Sequence, residues 1–148
     1  MKLNKLNGGR IPKPIRILVV DDSAVFRQTT SSFLKSLPHL EEIGAAATGS
    51  EAMKLVSRHR PDVVLLDLQM PDISGLETME RIRPLNPITR VVMLTMHDGE
   101  IVRAACLVRG ADGFVSKNRM REELPAVMRR LFAEQFADAP AEAVTTKR

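Results

Sequence analysis

The chain has 148 residues, 44% of them hydrophobic, which is enough for one domain with a buried core. Aromatic residues make up 3%, without Trp or Tyr, which argues against stacking on nucleic-acid bases, and the net charge of +4 is mild. The one cysteine excludes an intramolecular disulfide. No apolar run reaches the roughly 20 residues that span a bilayer, and the N-terminus lacks the apolar core of a signal peptide. We therefore predict a cytoplasmic protein that does not enter a membrane.

Strand and helix patterns alternate along the chain. Residues 1–14, with paired glycines and two prolines, predict a flexible lead-in, and residues 137–148, rich in Ala, Pro and Thr, predict a tail or the start of a linker. The region 15–136 between them is the predicted domain. The predicted strands are 15–20, 40–47, 63–67, 90–94 and 113–116. The predicted helices are 24–37, 51–59, a short one from Ser74 that Pro84 and Pro87 close, one from an Asp98 cap to about Arg109, and 121–136.

This alternation predicts an α/β fold in which a parallel sheet carries helices on both faces. Right-handed crossovers reduce the possible topologies to a few. The favoured one is a doubly wound, five-stranded, flavodoxin-like sheet of order 2-1-3-4-5. In that order, strands 1 and 3 are neighbours.

Two of the predicted strands end in carboxylates. Asp21 and Asp22 follow the first strand, and Asp67 ends the third. Open α/β sheets place their sites at the carboxyl ends of the strands, so we expect the three side chains to converge. Clustered carboxylates repel one another and favour a cation, and all-oxygen ligands suit Mg²⁺ better than zinc. Thr95 and Lys117 end the fourth and fifth strands at the same edge, where a hydroxyl and an ammonium could contact a phosphoryl group.

Four motifs together resemble the receiver (CheY-like) domain of two-component response regulators. They are Asp21-Asp22-Ser23, the segment from Leu66 to Gly75 around Asp67, Leu94 to Asp98, and Phe114 to Lys117. The Met-His-Asp sequence after Thr95 is most similar to the receivers of LuxR-type (NarL/FixJ) transcription factors.

The resemblance implies a role for each matching residue. Asp67 would accept a phosphoryl group, and Asp21, Asp22, Asp67 and the backbone carbonyl of Gln69 would hold Mg²⁺. Thr95 and Lys117 would bind the phosphoryl group, and Phe114 would be the switch aromatic. Met96 departs from the small residue that the family usually has after the threonine, and with His97 it is a candidate for tuning the site.

The resemblance also implies partners. A sensor histidine kinase or a phosphotransfer protein would supply the phosphoryl group. The output would be read on the fourth helix, fifth strand and fifth helix, whose mixed charges suit a phosphorylation-dependent homodimer. We expect no sequence-specific DNA binding by this chain, because its basic residues are interspersed with acids.

Several interpretations remain open at this point. The chain is either part of a transcription factor or a stand-alone receiver in a phosphorelay. A Mg²⁺-dependent phosphatase with an aspartyl nucleophile is disfavoured, because such enzymes carry a second acid where Gln69 stands. A degenerate receiver that only binds partners is disfavoured by the intact motif set. Asp72, like Asp98, is interpreted as a helix cap or turn residue.

Overall fold

Five short strands form one parallel sheet in the computed structural model, which describes residues 13–97 and 99–136. The sheet has the order β2-β1-β3-β4-β5, which confirms the predicted topology. The strands are β1 Ile15–Val20, β2 Leu40–Ala46, β3 Val63–Asp67, β4 Arg90–Thr95 and β5 Gly113–Ser116.

Five α-helices connect and follow these strands. They are α1 Ala24–Lys35, α2 Gly49–His59, α3 Gly75–Leu85, α4 Glu100–Val108 and α5 Met120–Leu131. Short 3-10 turns at Lys117–Arg119 and Ala133–Phe136 flank α5. Side chains cap three of the helices: Ser23, Thr48 and Ser74 each accept a hydrogen bond from a backbone N–H in the first turn of α1, α2 and α3, respectively.

The sheet separates two apolar layers. Alternate residues of the strands point to opposite faces, so a continuous apolar strand such as β3 serves both layers. One layer packs α2, α3 and α4 against the sheet, and the other packs α1 and α5. All five residues of β3 are buried, which places this strand at the centre of the domain.

Several predicted helix boundaries were wrong by a few residues. Helix α1 ends at Lys35 rather than at residue 37, and α3 continues through Pro84 to Leu85. Pro84 has no N–H to donate to the Glu80 carbonyl, and the helix continues only one residue beyond it, to Leu85. The last helix ends at Leu131, and the chain to Phe136 is a 3-10 turn.

Some predictions lie on residues that the structure does not describe. They are the tail at 137–148, most of the lead-in at 1–14, and the Asp98 cap; α4 is preceded by Gly99 as its N-cap. Among the described residues, no helix is both long enough and apolar enough to cross a bilayer.

Candidate functional site

Three carboxylates meet at the carboxyl end of the sheet, where β1 and β3 lie side by side. Val20 pairs with Leu66, so Asp21 and Asp67, the next residue in each case, are brought to the same level. Both are buried, with 0% and 6% of their surface exposed, whereas Asp22 is exposed. One carboxylate oxygen from each of the three lies within 4.8 Å of the others. The structure therefore brings the predicted cluster together.

The ammonium group of Lys117 lies between the two buried carboxylates. Its Nζ is 2.6 Å from Oδ2 of Asp21 and 3.4 Å from Oδ1 of Asp67. The side chain is 92% buried and its Nζ also lies 4.3 Å from the centre of the Phe26 ring, a cation–π contact. The residue that follows β5 thus delivers a cation that partly compensates two desolvated anions.

The backbone around Asp21 is fixed by residues of the first turn of α1. Oδ1 of Asp21 accepts a hydrogen bond from the backbone N–H of Ser23 at 2.9 Å, and Nη1 of Arg27 donates to the Asp21 carbonyl at 2.7 Å. Neither Arg27 nor Phe26 was predicted from the sequence as part of the site. Their position in the first helical turn after the carboxylate pair is the signal that could have located them.

Burial and charge together raise the proton affinity of Asp67. Burial is the larger cause and the Asp21 carboxylate the second, and they raise the pKa of Asp67 from 3.8 to about 6. Lys117 and a hydrogen bond from the backbone N–H of Gln69 act in the opposite direction. The site is therefore short of positive charge around Asp67.

The remaining predicted residues surround this centre at different depths. Thr95 is buried at the end of β4, and its Oγ1 accepts a hydrogen bond from the backbone N–H of His97 at 3.0 Å. Nε2 of His97 lies 3.2 Å from the side-chain Oε1 of Gln69, which joins the loops after β3 and β4. Met96 is 55% exposed. Phe114 is buried in the core, under the guanidinium of Arg103 at 5.6 Å from its ring centre.

The loop after β3 turns back against Asp67 at Gly75. The N–H of Gly75 donates to the Leu68 carbonyl at 2.8 Å, and a Cβ at this position would lie 2.3 Å from the carbonyl oxygen of Asp67. Only glycine permits this approach of backbone to backbone. The glycine therefore shapes the loop that follows the central carboxylate.

The donor set fits a divalent cation with oxygen ligands. Two buried carboxylates and one exposed carboxylate lie close together, without a cysteine or histidine in the cluster, and this chemistry suits Mg²⁺. The exposed position of Asp22 leaves the site open to solvent, as a cation that keeps part of its water shell requires.

A match to the response regulator receiver domain extends over residues 17–129, most of the chain. The chain belongs to this family. All of the predicted site residues of the receiver lie within the matched stretch.

Relatives with curated names support the same assignment. The chain is 45% identical over 106 residues to a protein-glutamate methylesterase/protein-glutamine glutaminase of Geobacillus kaustophilus, a match covering 71% of the chain and 30% of the relative. It is 33% identical over 126 residues to the response regulator GacA of Pseudomonas aeruginosa, covering 85% of the chain and 59% of the relative. The receiver matched here thus spans only part of each of these proteins.

Solved structures agree with the fold. A two-component response regulator of the LuxR family from Aurantimonas superimposes with a TM-score of 0.76 at 29% identity, covering 82% of this chain and 87% of that one. The receiver domain of the NarL regulator from Mycobacterium tuberculosis gives 0.71 at 29% identity, covering 84% and 98%. The predicted similarity to LuxR-type receivers is confirmed.

Proposed function

We propose that Asp67 of this receiver is the phosphoacceptor, and that a sensor histidine kinase or a phosphotransfer protein supplies the phosphoryl group. The observation that carries this proposal is the ammonium of Lys117 lying between buried Asp21 and Asp67. A buried carboxylate with a raised pKa and a cation beside it, at the carboxyl edge of a parallel sheet, is a candidate for a reacting group.

We propose that Asp21, Asp22, Asp67 and the backbone carbonyl of Gln69 hold Mg²⁺ for this reaction. The cation would neutralise the negative charge of the phosphoryl oxygens as they approach the carboxylates. The closeness of the three carboxylates supports this assignment.

The chain's own groups then perform a simple displacement. An oxygen of the Asp67 carboxylate forms a bond to phosphorus as the bond from phosphorus to the donor's imidazole nitrogen breaks, and the imidazole keeps that electron pair. Lys117 is placed to pair with a phosphoryl oxygen. The Thr95 hydroxyl, at the end of the neighbouring strand, accepts from the His97 N–H and can donate its own proton to another phosphoryl oxygen.

We propose that this contact is the switch. A Thr95 side chain drawn to the phosphoryl group changes the packing around Phe114, which lies on the next strand, β5, under Arg103 of α4. The change is a shift between two populations, so the face of α4, β5 and α5 must make different contacts in each.

This face suits a phosphorylation-dependent homodimer. Ile101 and Val108 of α4 lie two turns apart and are 85% and 84% exposed. Apolar groups amid mixed charges suit a symmetric, self-complementary contact. Sedimentation with and without beryllofluoride tests this, and Ile101→Glu should keep the domain monomeric in both conditions. A monomeric parent with beryllofluoride bound would contradict the dimer.

We expect this receiver to act in the cytoplasm and not to read DNA sequence. Among the described residues, arginines and acids are interspersed on the surface, and Arg81 pairs with Glu77 and Arg109 with Glu80. We also expect no turnover of external substrates beyond the domain's own phosphorylation and dephosphorylation.

Labelling tests the phosphoacceptor directly. Acetyl phosphate with Mg²⁺ should add one phosphoryl group by intact mass, and Asp67→Asn should abolish the addition. Asp22→Ala should weaken Mg²⁺ binding and slow labelling while the domain stays folded, because Asp22 is exposed and outside the core. Label that survives Asp67→Asn would place the acceptor elsewhere.

A further inference from the structure

Asp72, in the loop between β3 and α3, caps a helix to which it is distant in sequence. Its Oδ1 accepts a hydrogen bond from the backbone N–H of Gly49 at 3.1 Å. Its Oδ2 accepts from the N–H and the hydroxyl of Ser50, at 3.1 and 2.9 Å. The side chain therefore binds the N-terminus of α2, not that of the helix that follows it, which Ser74 caps.

The contact is electrostatically favourable. Partial desolvation acts to raise the pKa of Asp72, but hydrogen bonds from the N–H groups of Ile73, Ser50 and Gly49 and from the Ser50 hydroxyl outweigh it and hold the pKa well below its usual range. A carboxylate at a helix N-terminus also meets the positive end of the helix dipole. The carboxylate thus stays ionised and bound at neutral pH.

Helix α2 has a second cap of its own. Oγ1 of Thr48 accepts from the N–H of Glu51 at 3.1 Å, and Oε1 of Glu51 accepts from the N–H of Ala47 at 2.9 Å. This reciprocal arrangement is similar to a capping box, and it bonds N–H groups other than those of Gly49 and Ser50, which Asp72 binds. Both caps thus serve the same helix end, and of the two only the Asp72 contact joins α2 to the loop that carries Asp72.

That loop begins at the functional site. It leaves β3 directly after Asp67, includes Gln69, and closes at Gly75, whose N–H binds the Leu68 carbonyl. Its outer side is pressed against α2: a Cβ at Gly49 would lie 2.5 Å from Cγ1 of Ile73. The loop is thus held at one end by β3 and at the other by the N-terminus of α2.

We propose that Asp72 is a positioning residue, which anchors the loop to α2 and thereby fixes the Gln69 backbone where a cation bound by Asp67 would meet it. The identity of the cation, Mg²⁺, rests on the proposed function. The new element is that Asp72, a residue outside the site, sets the geometry of the loop.

The test compares two caps of the same helix end. Asp72→Ala removes the contact to the loop, and Thr48→Ala removes the cap internal to α2. Both should lower the stability of α2, so they control for each other. We expect Asp72→Ala to weaken Mg²⁺ binding about tenfold by calorimetric titration, the lower end of the loss typical when a group that orients a metal ligand is removed. Thr48→Ala should leave the affinity unchanged, and Asp72→Asn, which keeps an acceptor, should restore part of it.

Equal Mg²⁺ affinities in Asp72→Ala and Thr48→Ala would overturn the proposal and reduce Asp72 to a structural cap. Equal Mg²⁺ affinities in the parent and in Asp67→Asn would instead refute the proposed function. In that case, hydrogen exchange of the Gly75 amide still decides the role of Asp72. Faster exchange in Asp72→Ala than in Thr48→Ala supports the anchor, and equal exchange overturns it.

Discussion

Replacing Asp67 by Asn should stabilise the folded domain when no divalent cation is present. Burial and the Asp21 carboxylate raise the pKa of Asp67 from 3.8 to about 6. Since a tenfold change in proton affinity corresponds to 1.36 kcal/mol, the ionised carboxylate costs the folded state about 3 kcal/mol relative to the unfolded chain. Asn has nearly the same shape without the charge, so this cost disappears.

The gain should depend on pH with a definite sign. Between pH 3.8 and about 6, the folded state binds the Asp67 proton more tightly than the unfolded chain does. The stability that this proton contributes is complete below pH 3.8 and is lost as the pH rises through about 6. The variant has no such proton. Its advantage in the free energy of unfolding should therefore approach about 3 kcal/mol above neutral pH and shrink towards zero near pH 4.

Urea denaturation with a chelator, followed by far-UV circular dichroism across this pH range, measures the effect. Asp72→Asn is a matched control of opposite sign, because its carboxyl has a lowered pKa and stabilises the fold when ionised. Adding Mg²⁺ should raise the stability of the parent more than that of Asp67→Asn. A difference between parent and variant that is constant with pH, or an Asp67→Asn variant less stable than the parent at neutral pH, would refute the reasoning.

Two further substitutions test the packing of the site. Lys117→Met should lower the free energy of unfolding by about 3 kcal/mol in the presence of a chelator, because it leaves Asp21 and Asp67 buried without their cation. The double variant with Asp21→Asn should recover part of this loss in the same urea titration. Gly75→Ala should cost about 2 kcal/mol or more and weaken Mg²⁺ binding, because its Cβ would meet the Asp67 carbonyl. Gly44→Ala in β2, where a Cβ would make only an ordinary contact, 3.5 Å from Cδ1 of Leu18, is its control and should be nearly neutral in both denaturation and calorimetry.

The sequence allowed the sheet and the carboxylate cluster to be predicted because both follow from local pattern. Apolar runs specify buried strands, and the right-handed crossover rule then places the ends of β1 and β3 together. Helix ends were less predictable, because a proline does not end a helix at a fixed position: α3 continues through Pro84 to Leu85.

Contacts between distant side chains could not be predicted. The Asp72 bond to α2 crosses 22 positions in the chain, and no local pattern distinguishes a carboxylate that caps its own helix from one that caps another. The pairing of His97 with Gln69 likewise depends on how two loops meet in space. Lys117 was placed at the correct sheet edge, but its closer approach to Asp21 than to Asp67 is a matter of side-chain geometry.

The net charge of the cluster bears on which cation the site should prefer. When ionised, Asp21, Asp22 and Asp67 carry three negative charges and Lys117 one positive, so the cluster is left with a formal charge of minus two. A monovalent cation would leave part of the repulsion, whereas a divalent one would balance it. The ionised Asp67 carboxylate is unfavourable in the cation-free fold. A bound divalent cation would relieve this unfavourable charge, and the relief would contribute to the free energy of cation binding. We therefore expect the carboxylate repulsion in the cation-free domain to favour divalent over monovalent ions.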